Sequence, residues 1–116
     1  DIFSNFLWVG QAASCIWKMV LKNYSLKIIN LAGPKVLSRY EFALKVAKVF
    51  SLNQNLITPV KKSYFKNEAP RPKNTAFDTS LMAKVFNVKP LSVEDGLKEM
   101  KKSKSSIEWR TAKNVL

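Results

Sequence analysis

Histidine is absent from this 116-residue sequence, and cysteine occurs once, as Cys15. Without histidine the chain has no imidazole for acid/base catalysis, and nothing in it resembles the ligand spacing of a zinc site. A single cysteine cannot form an internal disulfide. We therefore expect no metal to bind this chain, and no metal-dependent or histidine-dependent chemistry within it.

Long hydrophobic runs are also missing. The most apolar segment, residues 9–22, contains Lys18 and Lys22 and falls short of the roughly 20 apolar residues that a membrane span needs. The sequence opens at Asp1 without the basic region that begins a signal peptide. We therefore expect no membrane association and a cytoplasmic location.

Acidic residues are scarce: 8 Asp and Glu stand against 20 Lys and Arg, which gives a net charge of +12. Such an excess favours anionic partners in general. The lysines are spread over every predicted element, with one concentration in residues 98–106, and this spread is more typical of a solvated surface than of a binding stripe. A nucleic-acid-binding module is the less favoured alternative, because neither a recognition helix nor interleaved basic and aromatic strand residues are visible.

Residues 9–22 carry the clearest helical periodicity. Apolar side chains at spacings of three and four predict a helix with one buried face, made of Val9, Ala13, Ile16, Trp17 and Val20. Cys15 lies among apolar neighbours on the same helix and is expected to be an inert, buried thiol.

Capping residues mark three further helices. Ser38 and Glu41 form an S-x-x-E capping box ahead of residues 39–50. Asp78 or Thr79 is expected to cap a short helix over residues 80–86. Ser92, with an aspartate three residues later, predicts a helix over residues 93–103.

Strand signals are weaker than helix signals. Residues 27–31 form a β-branched run before Gly33, which predicts a buried strand that ends in a turn. Residues 56–65 offer a second short extended segment, which Pro59 restricts to a sheet edge. The predicted fold class is α/β, helix-rich with one or two short strands. Because so few strands cannot complete a parallel sheet, we expect part of a larger fold.

The stretch "APRPKNTAFDTS", residues 69–80, places Arg71 between Pro70 and Pro72. Two prolines restrict the backbone on both sides of the arginine, so its direction is largely set before any ligand arrives. The stretch is either a stiff basic connector or a clamp for an anionic group.

Four segments, in this order and spacing, resemble the C-terminal part of dTDP-4-dehydrorhamnose reductases, a branch of the extended short-chain dehydrogenases/reductases. They are "WVGQAASCIWKMV", "IINLAGPKVLSRYEFALKVAKVF", "RPKNTAFDTS" and "PLSVEDGLKEM". The resemblance implies a substrate-binding region over residues 1–102. Residues 103–116 are expected to form either a marginal helix or a tail that docks Trp109.

The family's remaining parts have no counterpart in this sequence. The resemblance implies an N-terminal Rossmann domain that binds NADPH or NADH, and a catalytic Tyr-x-x-x-Lys in the full-length protein. None of the three tyrosines, Tyr24, Tyr40 and Tyr64, is followed by lysine four residues later, and the cofactor's glycine-rich motif is absent. We expect this segment alone to hold no cofactor and to reduce nothing, and we name no catalytic residue in it.

The resemblance implies that the region of Arg71 approaches a dTDP-deoxysugar substrate. A planar guanidinium suits a diphosphate, so Arg71 is the candidate phosphate ligand. Lys73 adds charge, and Asn74 is a candidate for bonding a ribose or sugar group. Trp8 either stacks on a base or sugar face or, as we favour, packs in the core. Arg39 is expected to be a solvated side chain.

Two positions depart from the family pattern. Gln11 stands where relatives usually have aspartate, and Leu81 replaces a usual lysine. Both changes suggest weaker polar contacts on the substrate side. They keep open a non-catalytic binding or regulatory protein of the same fold, as in the regulatory subunit of methionine adenosyltransferase.

Overall fold

The computed structural model describes residues 2–22, 28–65, 69 and 72–106, with side chains described as far as residue 103. Within these ranges it contains four helices and two very short strands. In chain order they are β1 (Phe3–Ser4), α1 (Val9–Lys22), β2 (Leu37–Ser38), α2 (Arg39–Phe50), α3 (Ser80–Phe86) and α4 (Val93–Ser106). The helix-rich fold class with two short strands is confirmed.

The predicted helix signals hold at the atomic level. The Ser38 hydroxyl accepts from the Glu41 amide at 3.1 Å, and the Glu41 carboxylate accepts from the Ser38 amide at 2.7 Å, which completes the capping box of α2. At the start of α3, Asp78 accepts from the Ser80 amide at 2.8 Å. The Ser92 hydroxyl accepts from the Asp95 amide at 3.1 Å before α4.

The predicted strand over residues 27–31 is wrong in its described part, since residues 28–31 form no strand there. Ile29 and Leu31 instead pack their side chains into the core. The alternating apolar residues therefore indicate side-chain packing and not a strand. A strand also needs a neighbouring strand with which its backbone forms hydrogen bonds. Nor do the described residues 56–65 form a strand; the region contains the end of one short 3₁₀ turn, Gln54–Leu56, and the whole of another, Lys62–Tyr64.

Within the described residues the core consists of two apolar clusters. The Cys15 cluster joins α1 to α3 through buried Cys15, Met82 and Phe86. The Leu37 cluster joins β2 to α4 through Leu37, Val93 and Leu97, and α2 packs against it. The consecutive residues Phe6 and Leu7 each pack against a different cluster, so the segment between β1 and α1 links the two.

The buried face predicted for α1 is wrong. Val9, Ile16, Trp17 and Val20 are exposed, Trp17 to 63%, while Cys15 on the neighbouring side of the helix is buried. The helix is apolar on two sides, and α3 covers the side that carries Cys15. No described part of the chain covers the other side.

Helix α4 continues to Ser106, beyond the expected end at residue 103. The rest of the predicted tail, residues 107–116 with Trp109, lies outside the described residues.

Candidate functional site

Strand β1 lies between two other segments of the chain, one at Ser38 and one at the candidate residues Lys73 and Asn74. On one edge Phe3 pairs with Ser38, directly before Arg39. On the other edge Phe3 bridges to Asn74, with its amide donating to the Lys73 carbonyl at 2.8 Å. Neighbouring strands lie about 4.8 Å apart, so the backbones at Ser38 and Asn74 are roughly 10 Å apart at one level of the sheet.

An open concavity of about 270 Å³ lies beside this arrangement, and we call it the Arg39 concavity. It is lined by Ile2, Arg39, Tyr40, Thr58, Pro59, Val60, Lys62 and Phe65. The lining combines two cationic side chains with two aromatic rings and contains no carboxylate. Cations beside aromatic faces suit a ligand that carries both phosphate and a planar or sugar ring.

The positive charge of the Arg39 concavity comes from side chains and not from the helix end beside it. Hydrogen bonds from the Ser38 amide and hydroxyl lower the pKa of Glu41 below the ordinary glutamate value of 4.5. The Glu41 carboxylate thus stays charged and occupies the N-terminus of α2. Arg39 and Lys62 are the cationic side chains among the described lining residues of the concavity.

Lys73 and Asn74, on the other edge of β1, differ in what their side chains contact. The Lys73 side chain is exposed. The Asn74 side-chain oxygen accepts from the Ala76 amide at 2.9 Å, which makes a local turn that shapes the segment. Arg71, the candidate phosphate ligand, lies outside the described residues. Lys73 and Asn74 therefore lie across β1 from Ser38, the residue directly before Arg39.

Trp8 belongs to a different part of the molecule. Its half-buried indole lines an apolar cavity of about 380 Å³ together with Phe42, Leu97 and Met100. It also lies directly over Gly10 on α1, where a side chain would collide with the ring. This environment is a packing environment, and the structure does not group Trp8 with Lys73 and Asn74.

Gln11 makes a structural contact at the connection between α3 and α4. Its side-chain nitrogen donates to the Lys89 carbonyl at 3.0 Å, and its oxygen accepts from the Leu91 amide at 2.8 Å. An aspartate offers no donor for the carbonyl. Glutamine at this position therefore allows hydrogen bonds between α1 and the connection from α3 to α4. Gln11 is not among the residues that line the Arg39 concavity. Leu81 is an exposed residue on α3.

Cys15 is buried, as predicted, and burial raises the pKa of its thiol. A raised pKa disfavours the reactive thiolate, which fits an inert core residue.

The glycines of this chain do not fit a cofactor-phosphate cradle. Such a cradle needs glycines whose open side faces the ligand. Here the open sides of Gly10 and Gly96 face Trp8, and that of Gly33 faces the Phe6 carbonyl, so the chain itself fills all three spaces. Among the described residues there is also no cluster of potential metal ligands and no helix with the length and apolarity to cross a bilayer.

Arg39, Lys62, Tyr40 and Phe65 were not among the residues that the sequence placed in the site. Arg39 follows a strand directly, which is a usual ligand position in α/β folds, and residues 61–65 mix lysines with aromatic residues. Those two signals lie more than 20 residues apart, and only the fold brings them together.

Comparison with known proteins places this architecture in a family. Searches of curated proteins and of solved structures found no match. A family model described as the RmlD substrate binding domain matches residues 7–106, which include all four helices and the segment around Lys73. With most of its length matched, the chain belongs to the RmlD substrate-binding domain family.

Proposed function

We propose that this chain is the substrate-binding part of an NAD(P)H-dependent reductase that acts on a dTDP-4-keto-6-deoxysugar such as dTDP-4-dehydrorhamnose. Membership of the substrate-binding family supports a nucleotide-sugar ligand. The observation that supports this location is the pairing of β1 with both Ser38 and Asn74, because it holds the described residues Lys73 and Asn74 across β1 from Ser38, the residue directly before Arg39.

The diphosphate of the nucleotide-sugar meets the cationic side chains in this proposal. Arg39 and Lys62 bind it from the concavity, and Arg71 and Lys73 bind it from the "RPKN" segment. Guanidinium groups offer paired donors that match phosphate oxygens, while lysines add charge. Tyr40 and Phe65 supply faces for the base or a sugar ring.

The reductant, NADH or NADPH, is held by another domain of the full-length protein in this proposal. The exposed apolar side of α1 supports such a domain, because it provides a surface of Ile16, Trp17 and Val20 that a neighbouring domain can cover. The residues of this chain bind and orient the sugar nucleotide, and the chain supplies no hydride.

Isothermal titration calorimetry of the chain with dTDP tests both the proposed ligand and the proposed binding site. We expect Arg39→Ala and Arg71→Ala each to weaken binding by about 1.5–3 kcal/mol, roughly 10- to 150-fold, as loss of a charged hydrogen bond should. Lys84→Ala on α3, an exposed lysine outside the concavity, is the matched control and should change the affinity by less than about twofold. Unchanged affinity in either arginine variant removes that residue from the site.

Activity needs a second measurement, on the full-length protein. Oxidation of NADPH or NADH on addition of dTDP-4-dehydrorhamnose supports the reductase. Tight dTDP binding without turnover instead assigns the protein to the binding or regulatory alternative.

A further inference from the structure

Five lysines from two helices line one open groove, which we call the lysine groove. Helices α2 and α4 pack together through the Leu37 cluster, and the groove of about 780 Å³ runs along their contact. It is lined by Lys45, Lys48, Val49, Glu94, Lys98, Lys101 and Lys102. The packing of the two helices thus adds Lys45 and Lys48 of α2 to the lysines that the sequence already concentrates in residues 98–106.

Three of these lysines contact carboxylates of the same chain. Lys45 pairs with Glu94 across the two helices. On α4, Lys98 lies 3.5 Å from Asp95, and Lys102 lies 2.7 Å from Glu99. The Lys98–Asp95 and Lys102–Glu99 pairs are exposed, whereas the Lys45–Glu94 pair is partly buried. Exposed ion pairs contribute about 0–1 kcal/mol each, so carboxylates from a partner can exchange with the two exposed pairs at little cost.

The other two lysines leave the groove with an excess of positive charge. Lys101 donates to the Val49 carbonyl at 2.8 Å, which keeps its charge uncompensated. Lys48 is exposed and makes no ion pair with a described residue. Counted over the part of the chain that the structure describes, five lysines against three contacting carboxylates leave a local charge of +2.

The shape of the groove selects among anionic partners. The axes of packed helices lie about 8–10 Å apart, so the hollow between them fits one narrow chain better than a nucleic-acid duplex. None of the described side chains that line it is aromatic, so these residues offer no platform for unstacked bases. Its described lining also lacks arginine, the residue best suited to bidentate phosphate binding.

We propose that the lysine groove binds an acidic helical segment of a partner protein. A third helix can lie along the hollow between two packed helices. Lys98 and Lys102 are one turn apart, about 6 Å along the axis, which is also the spacing of glutamates at positions i and i+4 of a partner helix. The acidic side chains of the partner then contact lysines of both α2 and α4.

This surface is separate from the nucleotide-sugar site. Lys45 and Lys48 lie six and nine residues after Arg39, about 9–14 Å further along α2. The two proposals rest on different residues, so either can fail alone.

The test uses a fluorescein-labelled 16-residue peptide of alanine and glutamate, with the glutamates at i and i+4, and its glutamine counterpart. Fluorescence anisotropy with the full 116-residue chain should show that the acidic peptide binds more tightly than the glutamine peptide, and more weakly as salt is raised. The double variant Lys48→Gln, Lys98→Gln should weaken binding of the acidic peptide about tenfold, because it removes one cation from each of the helices α2 and α4. These two exposed lysines contribute little to folding.

The matched control is Lys18→Gln, Lys22→Gln on α1, which removes the same charge elsewhere and should change affinity by less than about twofold. An equal loss in both double variants overturns the proposal, because it shows a response to net charge alone. Absence of salt-dependent peptide binding also overturns it. If a 20-nucleotide single-stranded DNA binds more tightly than the peptide and depends on Lys48 and Lys98, the partner is a nucleic acid and the proposal is wrong.

Discussion

At the scale of single residues, Asn5 shows how one buried amide fixes several loops. Its side-chain nitrogen donates to the Gly33 carbonyl at 2.9 Å and to the Phe77 carbonyl at 2.8 Å. Its oxygen accepts from the Phe77 amide at 3.0 Å. Every polar atom of the side chain is therefore used, and three distant segments are held together beside β1.

Replacing Asn5 with alanine should lower the free energy of unfolding by at least ~2 kcal/mol. The change leaves buried carbonyl and amide groups unpaired, and each such group costs about 1–3 kcal/mol. Urea denaturation followed by circular dichroism measures the effect. Asn30→Ala is the control, since Asn30 is exposed, and an equal effect of both changes would contradict the role of Asn5.

The amide side chains also show what sequence patterns miss. Asn74 stays a candidate for bonding a ribose or sugar group, and its side-chain oxygen has a structural part that the sequence did not indicate, since it shapes the local turn. Gln11 suggested a weakened substrate-side contact, yet it bonds the connection before α4. The partners of an amide depend on which backbone groups the fold brings near it, and the sequence alone does not specify them.

At the scale of elements, capping residues decide where the helices begin. The capping box of α2 also places Arg39 at the start of the helix, immediately after its pairing with β1. The cap thus contributes to stability and to the position of the candidate site.

Ser38→Ala should lower the free energy of unfolding by about 1 kcal/mol, the usual effect of removing an N-cap hydroxyl. Ser14→Ala, at an exposed position within α1, is the control and should be neutral or slightly stabilising, because alanine has the higher helix propensity. Denaturant unfolding of both variants measures the difference. Equal midpoints would show that the cap contributes nothing.

Acid should destabilise the chain through the helix-start carboxylates. The Ser38 amide lowers the pKa of Glu41, and the Lys45 ammonium lowers the pKa of Glu94, both below the ordinary value of 4.5. A lowered pKa in the folded state means that the unfolded chain takes up protons first as the pH falls. The stabilisation is therefore complete above about pH 4.5 and is lost below it.

Urea denaturation between pH 6.5 and pH 3 measures this loss. Glu41→Gln should flatten the acid side of the profile, because glutamine can still accept at the helix start but does not titrate. A profile of unchanged slope in Glu41→Gln would assign the acid sensitivity to other groups.

At the scale of the whole molecule, the two apolar clusters are buried, whereas the apolar residues on the uncovered side of α1 are exposed to solvent. Met82 is fully buried in the Cys15 cluster, while Val20 on the same molecule is 66% exposed. The chain therefore has a core of its own and, in addition, an apolar surface that its described part does not cover.

Val20→Lys should change the free energy of unfolding of this chain by no more than about 0.5 kcal/mol, because the side chain contacts mainly solvent. Met82→Ala should cost about 2–5 kcal/mol through lost burial and the cavity it leaves. Thermal and urea unfolding of both variants measure the contrast. A large loss in Val20→Lys would show that this side of α1 is covered in the isolated chain.

The sequence by itself determined the helices, their caps, the inert buried cysteine and the family, because these depend on local spacing and short motifs. It correctly predicted α1 from Val9 to Lys22 and the box at Ser38 and Glu41. Periodicity did not determine which apolar side of α1 is buried, since that depends on where α3 packs.

Only the tertiary structure decided how distant residues meet. The pairing of β1 on both edges joins Ser38 to Asn74, and the packing of α2 on α4 gathers lysines more than 40 residues apart. These contacts depend on backbone partners and side-chain packing across the whole chain. Local periodicity carries no information about them, which is why the strands and both candidate surfaces became visible only in the fold.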